Sequence, residues 1–231
     1  MGYRIPAFEL RPYMDVVELA KTRIMPLTGQ PYSFDMTPYF EEPCRFLDDV
    51  ASTCRVVISA PSQSGKSEIM LNFVAHVAIY DPAPSLLIMD TSNNSYKFSS
   101  GRLKPLLRDF VKLPAFEDTS IANRNDDKKK AVSEYSLSNN SPLYIGGSVS
   151  LSDLCSKPCK YLVLDELARF YEGKEGSSVD LALKRQMRFR GMALLTSTPT
   201  VADNYITQYW RSGTAQTWGV ICPDCGKWFT C

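Results

Sequence analysis

RVVISAPSQSGKSEIMLNFVAHVAIY, residues 55–80, decides the fold. It reads as a short buried strand, a loop, and a helix. Ile69, Met70, Phe73, Val74 and Val77 recur at helical spacing, and Asp81-Pro82 ends the helix. The loop fits the phosphate-binding pattern G-x-x-x-x-G-K-[ST] except at its first position, where Ala60 replaces glycine. In such a loop the backbone N–H groups and the helix N-terminus face a phosphate. Ser62, Gln63, Ser64 and Gly65 would form the cradle, Lys66 would reach the β- and γ-phosphates, and Ser67 would ligate Mg²⁺. Gly65 lets the backbone pass close to the ligand. Ala60 restricts the backbone at the start of the loop but removes no ligand. A bare GKS also arises by chance, so its meaning rests on what surrounds it.

Working outward, three more apolar runs read as buried strands: SLLIMD, KYLVLDE and MALLTSTPT. Each ends on polar residues, namely Asp90, Asp165-Glu166 and Thr196-Ser197-Thr198. SYKFSSGRLKPLLRDF and SVDLALKRQMRF read as helices, with Gly101 and Pro105 disturbing the first. EYSLSNNSPLYIGGS alternates around Asn139-Asn140 and predicts a hairpin. Upstream, MDVVELAKTRI is a short amphipathic helix. Thr37-Pro38 starts another, with Thr37 as N-cap. Strands alternating with helices predict an α/β fold, a mainly parallel sheet flanked by helices. Ligands in such sheets sit at the carboxyl ends of the strands, where these polar residues collect.

YLVLDE supplies the second chemical feature. Asp165 would hold Mg²⁺, and Glu166 would activate an attacking water as general base. The bland reading is a strand end that starts a turn. LLTSTPT places Ser197, Thr198 and Pro199 at the end of another buried strand, where hydroxyls can sense a γ-phosphate; the alternative is an ordinary Thr-Pro turn. A γ-phosphate transition state calls for an arginine, worth about 10³–10⁵ in rate. None lies in the loop. Arg169, Arg185, Arg188 and Arg190 are the candidates, within the chain or on a neighbouring subunit, with Arg185 preferred; each also reads as a solvated or DNA-facing charge.

Composition narrows the classes further. The chain has 231 residues, 44% of them hydrophobic, enough for one large α/β domain. The net charge of +1 excludes a uniformly basic nucleic-acid binder, so DNA contacts must be local, as at Lys128-Lys129-Lys130. No run is long enough to span a bilayer, and the N-terminus lacks the apolar core of an export signal. The single histidine, His76, excludes a site built on several histidines and reads as structural. Seven cysteines without an export signal argue for a reducing compartment. Cys222 and Cys225, in CPDCG, have the spacing of a Zn²⁺ half-site. Only Cys231 remains downstream to complete it. Cys44, Cys54, Cys155 and Cys159 read as core or loop thiols.

In order along the chain stand TPYFEEP, APSQSGKSE, LDELARF, EGSSVDLALKRQMRF, STPT and CPDCG. This series resembles the large terminase subunit of tailed bacteriophages, of the lambda-like GpA type, over roughly residues 35–228. The resemblance implies a P-loop NTPase of the RecA-like, additional-strand catalytic-glutamate type, with a degenerate Walker A loop and Asp165-Glu166 as Walker B. It implies ATP and Mg²⁺ as ligands and ATP-driven translocation of double-stranded DNA into a procapsid. The implied partners are a portal protein, a small terminase subunit and further copies of the chain, in the cytoplasm of an infected bacterium. It makes Glu166 the catalytic carboxylate, Ser197-Thr198-Pro199 a coupling motif, and Tyr39 a contact for adenine. TPYFEE lacks the glutamine often found there. The expected layout is an N-terminal segment (1–36), an ATPase domain (37–216) and the start of a zinc-ribbon-like linker (217–231), without the family's nuclease. The competing readings are a helicase-like remodelling ATPase and a DNA-binding module with a decayed P-loop. Intact Lys66, Ser67, Asp165 and Glu166 weigh against the latter.

Overall fold

The computed structural model describes residues 12–113, 134–150, 156–170, 172–173 and 176–230. Strand β1 (Arg55–Ser59) leads through the loop into helix α3 (Lys66–Tyr80). Two helices precede them, α1 (Val16–Lys21) and α2 (Glu41–Arg45). Strand β2 (Ser85–Met89) then feeds helix α4 (Ser92–Phe98), and β3 (Glu134–Ser136) turns into β4 (Pro142–Gly147). After β5 (Tyr161–Leu164) come a two-residue pair, β6 (Glu172–Gly173) and β7 (Gly176–Ser177), and helix α5 (Ser178–Leu183). Strand β8 (Ala193–Ser197), helix α6 (Tyr205–Arg211) and a hairpin of β9 (Gly219–Ile221) and β10 (Trp228–Thr230) complete the chain.

Six strands form the central sheet in the order β1-β8-β5-β2-β4-β3. All neighbours are parallel except β3, an antiparallel edge on β4. Strand β8 therefore lies between β1 and β5, although the chain makes β5 first. This is the additional strand that the resemblance implied. β2, β5 and β8 are buried at every position, as strands covered on both faces must be. One face carries α1, α3 and α4; the other carries α5, α6 and the turn after β5.

Helix α3 is buried beyond its expected stripe. Leu71, Ala75 and Ala78 are as covered as Ile69 and Phe73, because α1 closes over the side facing away from the sheet. Helix α1 is fixed by a capping box in which Asp15 and Glu18 each accept from the other's backbone N–H. Its Val16, Val17, Leu19 and Ala20 enter the same core as α3. Residues on both sides of position 36, among them Val16, Leu19, Phe34 and Phe40, pack in one core with the strands.

Arg23 joins the two parts. It is 1% exposed, its Nη2 lies 2.6 Å from Glu68 Oε2, and its Nε donates to Asn72 Oδ1 at 2.7 Å. The guanidinium stacks 5.2 Å from the Tyr32 ring centroid. Both acceptors are on α3, within two turns of the loop. His76, further along α3, meets the Met14 carbonyl at 3.1 Å and packs against Tyr13 and Tyr80. Its role is structural, as expected.

Three helix readings are refined. Thr37 precedes a 3₁₀ turn, Pro38–Phe40, and makes no side-chain cap bond. Its hydroxyl faces Tyr32 instead, at 3.5 Å. The helix after β2 continues as two wide π turns, Ser99–Leu103 and Leu106–Val111, on either side of Pro105, whose missing N–H breaks the regular ladder. α5 ends at Leu183, short of the expected Phe189, and a 3₁₀ turn follows at Lys184–Gln186. There Gln186 Nε2 donates to the carbonyls of Lys160 and Met192, tying the chain to the sheet. The hairpin at Asn139-Asn140 forms as read, with Asn140 at φ 63°. Lys128–Lys130 and Cys155 lie outside the described residues.

Two outcomes follow. Arg23→Leu removes the close partner of largely buried Glu68 and leaves it only Arg102 Nη1, 3.9 Å from Oε1. It is expected to lower stability by about 3–5 kcal/mol, measured by urea unfolding. Burial also holds the His76 imidazole below its ordinary value of 6.5. The ring therefore takes up a proton less readily in the fold than in the unfolded chain, although Asp48 opposes this. Its contribution is therefore full above pH 6.5 and is lost as pH falls below that value. His76→Gln should flatten this part of the stability–pH curve.

Candidate nucleotide site

The carboxyl ends of β1, β8 and β5 lie side by side, and the polar residues that follow them meet there. The loop after β1 begins with Ala60, whose N–H donates to the Ser197 carbonyl at 3.1 Å. Ala60 is not among the residues with positive φ, so the first loop position needs no glycine here. Gln63 (φ 60°) and Gly65 (φ 95°) make the left-handed turns of the loop. At Gly65 the positive φ disfavours a side chain, and a Cβ would also fit tightly. A Cβ there would sit 3.3 Å from Thr37 Cγ2 and 3.7 Å from Phe40 Cε2. Ser62 and Gln63 are exposed on the rim. The Ser64 carbonyl accepts from the Tyr39 hydroxyl at 2.9 Å, while Ser64 Oγ is buried with no partner.

Lys66 is 6% exposed and fully engaged. Its Nζ donates to the carbonyls of Ala60 (3.0 Å) and Pro61 (2.7 Å) and to Thr198 Oγ1 (2.9 Å). Burial lowers its pKa, opposed by the charges of Glu166 and Asp165. Ser67, half-buried, follows at the first turn of α3.

Asp165 is 4% exposed. Its Oδ1 accepts from Thr196 Oγ1 at 2.7 Å and from the Glu166 N–H at 3.0 Å. Burial raises its pKa, with the Thr196 bond opposing. Glu166 adopts left-handed backbone angles (φ 55°, ψ 44°), rare for a side chain of this kind and costing about 1–3 kcal/mol. Glu166 Oε2 is buried without a hydrogen-bond partner. Ser197 Oγ accepts from the Ala168 N–H at 3.0 Å and donates to the Thr198 carbonyl, so β8 also braces the turn after Asp165. Pro199 follows, exposed. Lys66, Thr198, Asp165, Glu166 and Ser197 are thus brought together, with Ser67 at the adjacent helix start and Tyr39 behind the loop.

Arg185 is not brought to this site. Its carbonyl accepts from the Cys159 N–H, just before β5, whereas Asp165 follows the far end of that strand. Six residues of extended chain separate the two, roughly 20 Å at ~3.3 Å each. A contact from Arg185 to the γ-phosphate within one chain therefore does not fit. Arg190 sits at the same distant end, donating to the Ala51 carbonyl at 2.7 Å. Arg169 is on the site's side of the sheet, but its Nη1 stands 4.0 Å from Asp90 Oδ2, beyond β5 at the end of β2.

Cys222 and Cys225 occupy the turn between β9 and β10. Gly226, at φ 69°, donates its N–H to the Cys222 carbonyl, and backbone hydrogen bonds lower the Cys222 thiol pKa. Among the described residues, however, no group of three or more His, Cys, Asp or Glu side chains is placed to hold a metal. Cys231, the remaining downstream cysteine, lies outside the described residues. Among the described residues, no helix is long and apolar enough to cross a membrane.

The family model for the phage terminase large subunit gpA ATPase domain matches residues 28–231. The chain belongs to that family. No curated protein is similar enough in sequence to match. Among solved structures, the chain is similar to the large terminase of bacteriophage HK97, with TM-score 0.56 and 14% identity over 87% of this chain and 40% of that one. It is also similar to the large terminase of a thermophilic bacteriophage, with TM-score 0.52 and 14% identity over 79% of this chain and 43% of that one. A third likeness is the Thermus phage P74-26 large terminase ATPase domain, with TM-score 0.50 and 18% identity over 89% and 79% of the two chains. At these identities the likeness is one of fold. The chain spans less than half the length of the first two of these terminases.

Within this terminase ATPase domain the bond from Thr196 to Asp165 was not assigned from sequence. The available signal was a threonine inside an otherwise apolar strand. Thr196→Val keeps the shape and removes the hydroxyl. It should cost about 1–3 kcal/mol of stability and raise the Mg²⁺ concentration needed for half-maximal nucleotide binding, read by calorimetric titration.

Proposed function

We propose that this domain binds ATP with Mg²⁺, hydrolyses it, and uses the cycle to drive double-stranded DNA into a procapsid. The observation that carries this reading is the cluster spanning three adjacent strands: Lys66 bonded to Thr198, Thr196 bonded to Asp165, and Glu166 with a buried unpartnered oxygen. Gly65 and the α3 N-terminus would cradle the phosphates, and Lys66 would exchange its carbonyl partners for phosphate oxygens. Ser67 and Asp165 form an all-oxygen donor set of the kind a hard divalent cation takes. Bound Mg²⁺ would neutralise phosphate charge there. Glu166 Oε2, held by a strained backbone and lacking a partner, is suited to orient a water and take its proton. Ser197 and Thr198, touching both the Asp165–Glu166 turn and Lys66, would report loss of the γ-phosphate along β8.

The arginine for the γ-phosphate is proposed to come from a neighbouring copy in an assembled ring, since Arg185 and Arg190 lie at the far end of their own sheet. Portal, small subunit and host-cytoplasmic location belong to the same proposal and rest on the family. DNA cleavage is not assigned to the residues described here.

ATP turnover by the parent and by Glu166→Gln, with and without duplex DNA, tests the reading. Glu166→Gln should bind ATP normally and lose about 10²–10⁴-fold in rate, while Lys66→Ala should lose binding. Absence of both ATP binding and turnover in the parent, even with portal and small subunit present, would sink the motor reading.

A further inference from the structure

The phosphate end of the site is well defined; its base end was expected at Tyr39 alone. A second aromatic residue stands beside it. We propose that Trp218, from the segment leading into β9, forms an aromatic wall of the nucleobase subsite together with Tyr39. The proposal rests on the nucleotide-binding reading above.

Tyr39 is fixed against the loop by its hydroxyl bond to the Ser64 carbonyl, and its neighbour Phe40 packs beside Gly65. The Thr37–Phe40 turn therefore flanks the phosphate cradle, where a base attached to bound phosphates would emerge. The Trp218 ring meets Tyr39 there, with centroids 6.2 Å apart and planes at 67°. Two rings at that angle make a notch in which a purine can stack on one and meet the edge of the other.

Trp218 is held in place from both sides. Two residues earlier, the Gln216 carbonyl accepts from Trp210 Nε1 at 3.1 Å. One residue later, Trp228 covers Gly219 so closely that a Cβ there would lie 2.2 Å from its ring. Trp218, next to Gly219, packs against Tyr39 of the ATPase domain. It nevertheless remains 44% exposed, and Tyr39 is only half-buried, so ring surface is open to a ligand.

Binding of ATP and of inorganic tripolyphosphate, each with Mg²⁺, to the full chain separates base from phosphate contacts. Trp218→Ala should weaken ATP by about 5- to 150-fold, the range for loss of one base–aromatic stack, and leave tripolyphosphate unchanged. Trp218→Phe should restore most of the ATP affinity. Unchanged ATP affinity in Trp218→Ala overturns the proposal. So does an equal loss for both probes, which would mean the residue acts through the loop. A parent chain that binds neither probe would instead refute the nucleotide reading itself.

Discussion

The placement of β8 between β1 and β5 is the constraint on which the rest of the site depends. Parallel pairing on both sides fixes the register of Thr196, Ser197 and Thr198 against the phosphate loop and the acidic strand end. Each hydroxyl then has one task. Thr196 orients Asp165, Ser197 braces the turn beyond Glu166, and Thr198 holds Lys66. Strand β8 is buried throughout, so a shift by one residue would exchange its core face for the opposite one and scatter all three contacts.

The N-terminal residues serve the same site from behind. Arg23 grips Glu68 and Asn72 on α3, and Tyr39 grips the Ser64 carbonyl. The helix that presents Lys66 and Ser67 is therefore held by the sheet on one side and by residues 12–40 on the other. A buried ion pair is a poor source of net stability but a strict one of geometry, since neither charge tolerates loss of its partner. Its position one residue after Ser67 puts that strictness where a phosphate loop needs it.

The strands, the loop and the acidic pair were legible because each leaves a local mark: an apolar run of strand length ending on a polar residue. Asn140 marked its hairpin for the same reason. Less visible was anything set by partners distant in sequence. The early end of α5 depends on Gln186 reaching two carbonyls of the sheet, and no helical periodicity records that. Arg185 stood out for its proximity in sequence to the STP strand, but that segment precedes β8 and so lies at the amino end of the sheet. Trp218 carried no signal at all, because its contact joins opposite ends of the chain. The boundary at residue 36 was drawn from prolines, which interrupt helices yet do not prevent α1 from packing on α3.

The state of Lys66 has an energetic consequence. Its ammonium has three oxygen acceptors within the protein, the carbonyls of Ala60 and Pro61 and the Thr198 hydroxyl. In the proposed nucleotide reading, ligand capture at this lysine would be a partner exchange, its contribution to affinity the difference between two shells of oxygen. The loop carries its own competitor, built from two carbonyls and Thr198. A phosphate that took Lys66 from this shell, as the proposed function requires, would also free Thr198, so one ammonium links the loop to the end of β8.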